Sequence, residues 1–268
     1  MLERQKKVQV PDLKVYKDQK RKITCLTAYD YLTACLLDES GVDLILVGDS
    51  LAHVFAGLSN TSELGMTEMI YHTQVVAGGV ERALLVADMP FLSYQIEIAE
   101  AARNAGELIR AGAQAVKLEG GSEYIADLIS KLTSIGIPVI GHLGYTPQSV
   151  NLLGRGRVQG RDDEMADRIF KQAALLESTG AAAIVIELVP ADLARRITDH
   201  LSIPTIGIGS GGACDGQILV TDDVLGRTNN QFRFLKRFAE LNQIARSAVK
   251  DYIQEVQSGS YPTDEHSF

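Results

Sequence analysis

The sequence contains no tryptophan, few cysteines and no long apolar run. Cys25, Cys35 and Cys214 do not form a C-x-x-C pair, so neither a thiolate zinc site nor a disulfide framework is expected, and we expect all three to be core residues. No apolar run reaches the roughly 18 residues of a membrane span, and the first residues lack the apolar centre of a signal peptide. We therefore expect a cytoplasmic protein that does not enter a membrane.

The chain also has few basic residues relative to acidic ones, and its net charge is -8 over 268 residues. A nucleic-acid partner requires clustered Lys and Arg, and the chain concentrates basic residues only near its start. We expect no nucleic-acid binding, a flexible basic N-terminal arm, and a polar C-terminal tail at residues 257–268. No linker-like stretch divides the chain, and 46% of the residues are hydrophobic, so we predict one domain over residues 1–268.

A repeated unit is present instead: a short apolar run that ends in polar or Gly residues, followed by a stretch of helical period. The predicted strands are residues 23–29, 44–49, 83–88, 115–120, 137–144, 182–189, 203–209 and 217–226. Continuous apolar runs indicate parallel strands covered on both faces. Eight such units in this length predict a single (β/α)8 TIM barrel.

An additional C-terminal helix is predicted from about Phe232 to Tyr252, where apolar residues recur at spacings of three and four. A doubly wound open sheet is the alternative architecture, because it uses the same strand-helix units. No G-x-G-x-x-G follows the first strand, which argues against a dinucleotide-binding fold of that kind.

Four predicted strands end in an acid: Asp49, Asp88, Glu119 and Glu187. In a barrel these ends share one face, where catalytic residues lie, although a single acid there could equally be structural. Adjacent carboxylates repel unless a cation neutralises them, and oxygen ligands favour Mg2+, with Mn2+ or Co2+ as substitutes. Glu187 stands apart in a nearly uncharged run, and we predict that it is a general base.

Two further polar residues lie in these strands. Lys117 shares a strand face with Glu119, because side chains repeat every two residues along a strand. It is an internal ion-pair partner, a cation for a substrate carboxylate, or a Schiff-base nucleophile. His142 ends the fifth strand and is either a neutral rim histidine or a participant in substrate binding and proton transfer.

These residues belong to a series of stretches that resembles the ketopantoate hydroxymethyltransferase family. The stretches span nearly the whole chain in order and are TAYDY (27–31), GVDLILVGDSL (41–51), MTEMIYHT (66–73), LLVADMPF (84–91), AVKLEGG (115–121), IPVIGHLGYTPQSVN (137–151), RVQGR (157–161), SIPTIGIG (202–209) and CDGQILV (214–220). The resemblance implies a barrel of the superfamily that includes phosphoenolpyruvate mutase and isocitrate lyase.

The resemblance also implies an activity, namely transfer of a hydroxymethyl group from 5,10-methylenetetrahydrofolate to 3-methyl-2-oxobutanoate through a Mg2+-stabilised enolate, to give 2-dehydropantoate. It implies a homo-oligomer, commonly a decamer. The site residues that it implies are Asp49, Asp88 and Glu119 at the metal, Asp49, Ser50, Asp88, Lys117 and His142 at the keto acid, and Glu187 as the proton acceptor.

Two loops, residues 51–65 and 221–230, depart from the family pattern, and both lie outside the predicted metal and base residues. Two other functions are weighed against the first. One is a metal-dependent aldolase or lyase of the same superfamily that acts on another 2-oxo acid without folate, although no cysteine stands at a strand end as the lyase branch would require. The other is a barrel that has lost catalysis and binds a metabolite.

Overall fold

The computed structural model describes residues 6–268. Its centre is a closed barrel of eight parallel strands that neighbour each other in chain order, with β8 pairing to β1. The strands are β1 Ile23–Thr27, β2 Leu44–Val47, β3 Leu84–Asp88, β4 Ala115–Glu119, β5 Val139–Gly144, β6 Ala183–Glu187, β7 Thr205–Ile208 and β8 Gly216–Leu219. The predicted (β/α)8 barrel is confirmed, and the open sheet is excluded because β1 and β8 pair.

One helix precedes β1, and further helices follow the strands along the chain. The α-helices are α1 Val10–Asp18, α2 Tyr31–Glu39, α3 Leu51–Val54, α4 Met66–Ala77, α5 Ile98–Arg110, α6 Glu123–Ser134, α7 Val150–Leu153, α8 Asp163–Ser178, α9 Ala191–His200, α10 Thr221–Val224 and α11 Leu241–Ser258. Short 3-10 helices occupy Thr61–Glu63, Pro147–Ser149 and Asp264–His266. Polar caps fix several helix starts; the Asp30 and Asp162 carboxylates, for example, accept hydrogen bonds from the amides of Thr33 and Met165.

The apolar core has two layers, because each strand presents alternate side chains to the lumen and to the helices. The lumen layer includes Leu44, Leu84, Ala115, Ile140 and Ala183. The second layer packs the outer strand faces against the helices. The same alternation places polar side chains in the lumen at the carboxyl ends of β3, β4, β5 and β6.

The N-terminal segment differs from the prediction of a flexible arm. Residues 10–18 form α1, and Val8 and Leu13 are fully buried in the lumen layer of the core. The amide of Val8 donates to the carbonyl oxygen of Arg82 at 2.8 Å, and Lys17 forms a 2.9 Å ion pair with Asp215. The arm is therefore a structural plug at the amino end of the barrel; residues 1–5 lie outside the described part of the chain.

The described residues divide into two compact units, one ending at Leu219 and the other running from Val220 to Phe268. In the second unit the predicted C-terminal helix exists, but it begins at Leu241 and not near Phe232. The amides of Phe238 and Leu241 donate to the carbonyl oxygens of Val224 and Leu225, which draws this stretch out of helical conformation. The prediction of one domain over residues 1–268 stays a prediction.

The predicted eighth strand is also shorter than expected. It ends at Leu219, and the residues that follow form α10. Over residues 6–268, no helix has the length and apolar character needed to cross a membrane.

Candidate active site

The predicted site residues lie together at the carboxyl ends of the strands. Asp88, Lys117, Glu119 and His142 are nearly completely buried, and Glu187 is half-buried at the end of β6. Asp49 follows β2 and is also buried. The barrel therefore brings all the predicted acids to one mouth, as the sequence positions implied.

Asp49, Asp88 and Lys117 form the first part of this mouth. The ammonium of Lys117 donates to Oδ1 of Asp88 at 2.5 Å, and Oδ2 of Asp88 accepts from the Asp49 amide at 2.9 Å. Burial and then the Glu119 carboxylate raise the pKa of Asp49 to about 6, and burial also raises the pKa of Asp88. Although burial lowers the pKa of Lys117, the three carboxylates around it outweigh burial and raise it, so Lys117 is a cation.

Glu119, His142 and Glu187 form the second part. Nδ1 of His142 donates to Oε1 of Glu119 at 3.1 Å, and Nε2 of His142 lies 3.2 Å from Oε2 of Glu187. The latter pair has the distance of an ion pair but lacks the angles of a hydrogen bond. Burial and Lys117 oppose protonation of His142, but the two glutamates outweigh them and raise its pKa to about 9. His142 thus connects Glu119 to the predicted base.

The chemistry of this donor set suits a hard divalent cation. Asp49, Asp88 and Glu119 are buried carboxylates around the single lysine Lys117, and burial together with the Glu119 carboxylate raises the pKa of Asp49. Within residues 6–268, however, no three His, Cys, Asp or Glu side chains are preassembled as a metal-binding group. Both oxygens of Glu119 are engaged, one by His142 and the other by the amide of Gln148. The residues fit a cation held first by Asp49 and Asp88.

The turn after β2 positions Ser50, the remaining predicted substrate residue. Ser50 Oγ lies 2.8 Å from the hydroxyl of Tyr29, which follows β1. A Cβ atom on Gly48 would lie 2.9 Å from Ser50 Oγ, so glycine permits the close approach of this turn. Gly120, directly after Glu119, has φ of 101°, which lets the chain leave the mouth in a conformation that other residues rarely adopt.

A strained turn directs Glu187. Leu188, the next residue, has φ of 48°, which is uncommon for a residue other than glycine. Its amide donates to the carbonyl oxygen of Ile208, and the buried hydroxyl of Ser210 donates to the Ile186 carbonyl oxygen at 2.8 Å. Ser210 also accepts from the Val189 amide at 3.2 Å, so Ile208 in β7 and Ser210 after it hold the backbone on both sides of Glu187.

Two buried residues of the mouth were not predicted from the sequence. Gln148 lies in the 3-10 helix after β5, and Tyr94 lies in the loop after β3. Both contact Glu119, and Gln148 also contacts Asp49. Gln148 stands within the stretch IPVIGHLGYTPQSVN, so the motif contained a signal, but neither residue type indicated its role.

Solved structures of similar fold include a phosphoenolpyruvate phosphomutase from Streptomyces platensis subsp. rosaceus, with a TM-score of 0.62 and 15% identity, covering 94% of this chain and 88% of that one. A phosphonopyruvate hydrolase in complex with oxalate and Mg2+ has a TM-score of 0.63 and 14% identity, covering 96% and 93%. At these identities the likeness shows the barrel fold alone.

Sequence relatives are much more similar. The 3-methyl-2-oxobutanoate hydroxymethyltransferase of Pelobacter propionicus is 52% identical, with 100% of both chains covered. That of Syntrophus aciditrophicus is 50% identical over 98% of this chain and 97% of its own. The model of the family described as ketopantoate hydroxymethyltransferase matches residues 7–264. The chain therefore belongs to the ketopantoate hydroxymethyltransferase family.

Proposed function

We propose that the protein transfers a hydroxymethyl group from 5,10-methylenetetrahydrofolate to 3-methyl-2-oxobutanoate, with Mg2+ at the barrel mouth, and gives 2-dehydropantoate. The observation that supports this most directly is the buried Asp49, Asp88 and Lys117 cluster within a family of hydroxymethyltransferases. Its excess negative charge requires a cation, and its lysine offers a counter-charge to a keto acid carboxylate.

Asp49 and Asp88 would hold the cation, and the bound cation would polarise the ketone of the substrate as a Lewis acid. Mn2+ and Co2+ would substitute, since carboxylates bind both. Glu119 would complete this group of acids, and its two oxygens also accept from His142 and Gln148. Lys117 and the hydroxyl of Ser50 would orient the keto acid carboxylate.

Glu187 would remove the proton from C3 of the keto acid. Its carboxylate is half-buried at the end of β6, where the strained turn at Leu188 fixes its direction. His142, held by Glu119, would orient the Glu187 carboxylate, because its Nε2 lies 3.2 Å from Oε2 of Glu187.

The carbanionic C3 would then attack the methylene carbon of the folate, forming a carbon-carbon bond. Both carbon-nitrogen bonds of the methylene group, to N5 and to N10 of the folate, break in the course of the reaction. Water supplies the oxygen of the new hydroxyl and one proton, the proton removed from C3 is the second, and tetrahydrofolate leaves with a proton on each nitrogen. The aldolase or lyase alternative also begins with removal of a proton, but it needs no folate. The two functions therefore differ in the step that follows proton removal.

A nuclear magnetic resonance assay tests the whole proposal. The protein is incubated with 3-methyl-2-oxobutanoate, 5,10-methylenetetrahydrofolate and Mg2+, and each component is omitted in turn. We expect 2-dehydropantoate only in the complete mixture, and exchange of the C3 proton for deuterium whenever keto acid and Mg2+ are present. Exchange at C3 without formation of 2-dehydropantoate in the complete mixture would support the aldolase or lyase alternative, and no exchange under any condition would support loss of catalysis.

The base assignment is tested with Glu187→Gln, which removes the charge and keeps the shape. We expect loss of C3 exchange with Mg2+ and keto acid binding nearly unchanged by calorimetry. Glu39→Gln, an exposed glutamate at the end of α2, is the matched control and should exchange at the parent rate. Equal exchange in Glu187→Gln and parent would remove Glu187 from this role.

The family resemblance further supports a homo-oligomer, commonly a decamer, and a cytoplasmic location as proposals. Light scattering coupled to size-exclusion chromatography measures the assembly; a mass equal to one 29.1 kDa chain would contradict it. Fractionation of the source cells tests the location.

A further inference from the structure

Gln148 occupies an unusual position for a neutral side chain. It is buried in a 3-10 helix after β5, yet its side chain reaches the residues that follow β2 and β3. Its Nε2 donates to Oδ2 of Asp49 at 3.1 Å and to the carbonyl oxygen of Met89 at 3.0 Å. Because a carbonyl oxygen can only accept, the contact with Met89 fixes which end of the amide faces Asp49.

The other end of the amide is fixed as well. Oε1 of Gln148 accepts from the hydroxyl of Tyr94 at 2.9 Å. The Tyr94 oxygen in turn accepts from the amide of Glu119 at 3.1 Å, so the single hydroxyl proton is available for Gln148. These bonds run in one direction, from the Glu119 backbone through Tyr94 and Gln148 to the Asp49 carboxylate.

The backbone of Gln148 adds a second link. Its amide donates to Oε2 of Glu119 at 3.0 Å, on the carboxylate whose other oxygen contacts His142. One residue therefore supplies a donor to Asp49 and another to Glu119. A lysine in this place would also donate, but its charge would cancel part of the negative potential that attracts a cation. A glutamine orders the carboxylates and leaves their charge intact.

We infer that Gln148, oriented by Tyr94, is a positioning residue that holds Asp49 and Glu119 in the arrangement that binds the divalent cation. Its action is through the two carboxylates to which it donates, Asp49 and Glu119. This inference rests on the proposed function, because it requires that Mg2+ binds at this mouth.

The test uses Mg2+ alone, titrated by calorimetry into the full-length protein after treatment with EDTA. Gln148→Met keeps the length of the side chain and removes its donors and acceptor. We expect its Mg2+ affinity to fall about tenfold or more, which is the usual effect of removing a partner of a metal ligand. Saturating Mg2+ should restore most of the C3 exchange rate, whereas a residue acting on the substrate would leave the rate low. Tyr94→Phe should weaken Mg2+ binding in the same direction, but less.

Gln114→Met is the matched control, because Gln114 accepts from the Leu85 amide at the opposite end of the barrel. It should bind Mg2+ like the parent even if it unfolds at a lower temperature. Parent-like Mg2+ affinity in folded Gln148→Met would overturn the inference; if that variant does not fold, parent-like affinity in Tyr94→Phe overturns it. If the parent itself binds no Mg2+, the metal part of the proposed function fails, and the inference fails with it.

Discussion

Two aspartates flank the same strand and have opposite electrostatic environments. Asp43 precedes β2 at the amino end of the barrel, and Asp49 follows β2 at the carboxyl end. Their exposed fractions are 1% and 5%, so both are buried. The pKa of Asp43 nevertheless lies below its ordinary value, while that of Asp49 is raised to about 6.

The negative charge of Asp43 is balanced by its hydrogen-bond and ion-pair partners. Burial by itself would raise its pKa, but its Oδ2 accepts from the amide and hydroxyl of Thr24, and its Oδ1 accepts from Arg21 at 2.6 Å and Arg82 at 3.2 Å. The Thr24 amide, followed by the Arg21 guanidinium and the Thr24 hydroxyl, outweighs desolvation and lowers the pKa of Asp43. This aspartate joins the segments that precede β1, β2 and β3, and its role is structural.

Among residues 6–268, no Lys, Arg or His forms an ion pair with Asp49. Lys117 bonds to Asp88 instead, and the group that donates to the Asp49 carboxylate is the neutral amide of Gln148. Burial therefore dominates, and Glu119 adds repulsion. Both carboxylates are buried, so burial does not explain the difference between them. The comparison shows that the partners of a buried carboxylate determine whether it stabilises the fold or favours binding of a cation.

The largest effect on stability is expected at the amino end. Asp43→Asn should lower the free energy of unfolding by about 3 kcal/mol, because it leaves Arg21 and Arg82 beside a neutral group. Urea denaturation measures this change. Asp18→Asn, which breaks an exposed ion pair with Lys14, is the control and should change stability by less than about 0.5 kcal/mol. Equal effects of the two substitutions would contradict the structural role of Asp43.

The same substitution at the carboxyl end should have the opposite sign. Asp49→Asn keeps an oxygen that can accept from Gln148 and removes a charge that has no cation partner. In EDTA at pH 8 we expect the free energy of unfolding to rise by about 2 kcal/mol, since a raised carboxyl pKa costs stability above the unfolded value. Mg2+ binding and C3 exchange should be lost. A fall in the free energy of unfolding as large as that of Asp43→Asn would contradict the difference between the two aspartates.

The pH dependence of stability should separate parent from Asp43→Asn. The folded pKa of Asp43 is depressed, so its contribution is present above the unfolded pKa of about 4 and is lost as the pH falls through the lower, folded value. The difference in unfolding free energy between the two proteins should therefore be constant from pH 5 to 7 and shrink below about pH 4. Urea denaturation at each pH measures it, and a difference that does not shrink in acid would contradict the assignment.

The smallest effect is expected at Ser210. Ser210→Ala removes the hydroxyl that bonds the Ile186 carbonyl oxygen and the Val189 amide, at a cost of about 1 kcal/mol in stability. Because the turn that holds Glu187 loosens, we expect kcat for C3 exchange to fall while Mg2+ affinity stays at the parent value. Steady-state kinetics and calorimetry distinguish this result from a general loss of structure, which would lower both.

Much of the barrel could be predicted because its signals are local. The apolar runs predicted all eight strands, and their ends differ by at most two residues except at β8. There the strand ends seven residues early, because α10 replaces the expected strand end. The predicted start of the C-terminal helix at Phe232 was wrong because backbone bonds to Val224 and Leu225 compete with helix formation. The basic N-terminal segment was wrongly expected to be flexible because its two buried residues, Val8 and Leu13, lie among many charges.

The sequence by itself determined the barrel and the acids of its mouth, because parallel strands in a closed barrel must end on one face. Only the tertiary structure decided which acid has which partner. His142 lies between Glu119 and Glu187 because β4, β5 and β6 are neighbours in the barrel, and Gln148 lies between Asp49 and Glu119 because the segment after β5 reaches the residue that follows β2. Pattern and spacing describe neighbours along one strand, whereas hydrogen bonds across the mouth depend on the packing of the whole barrel.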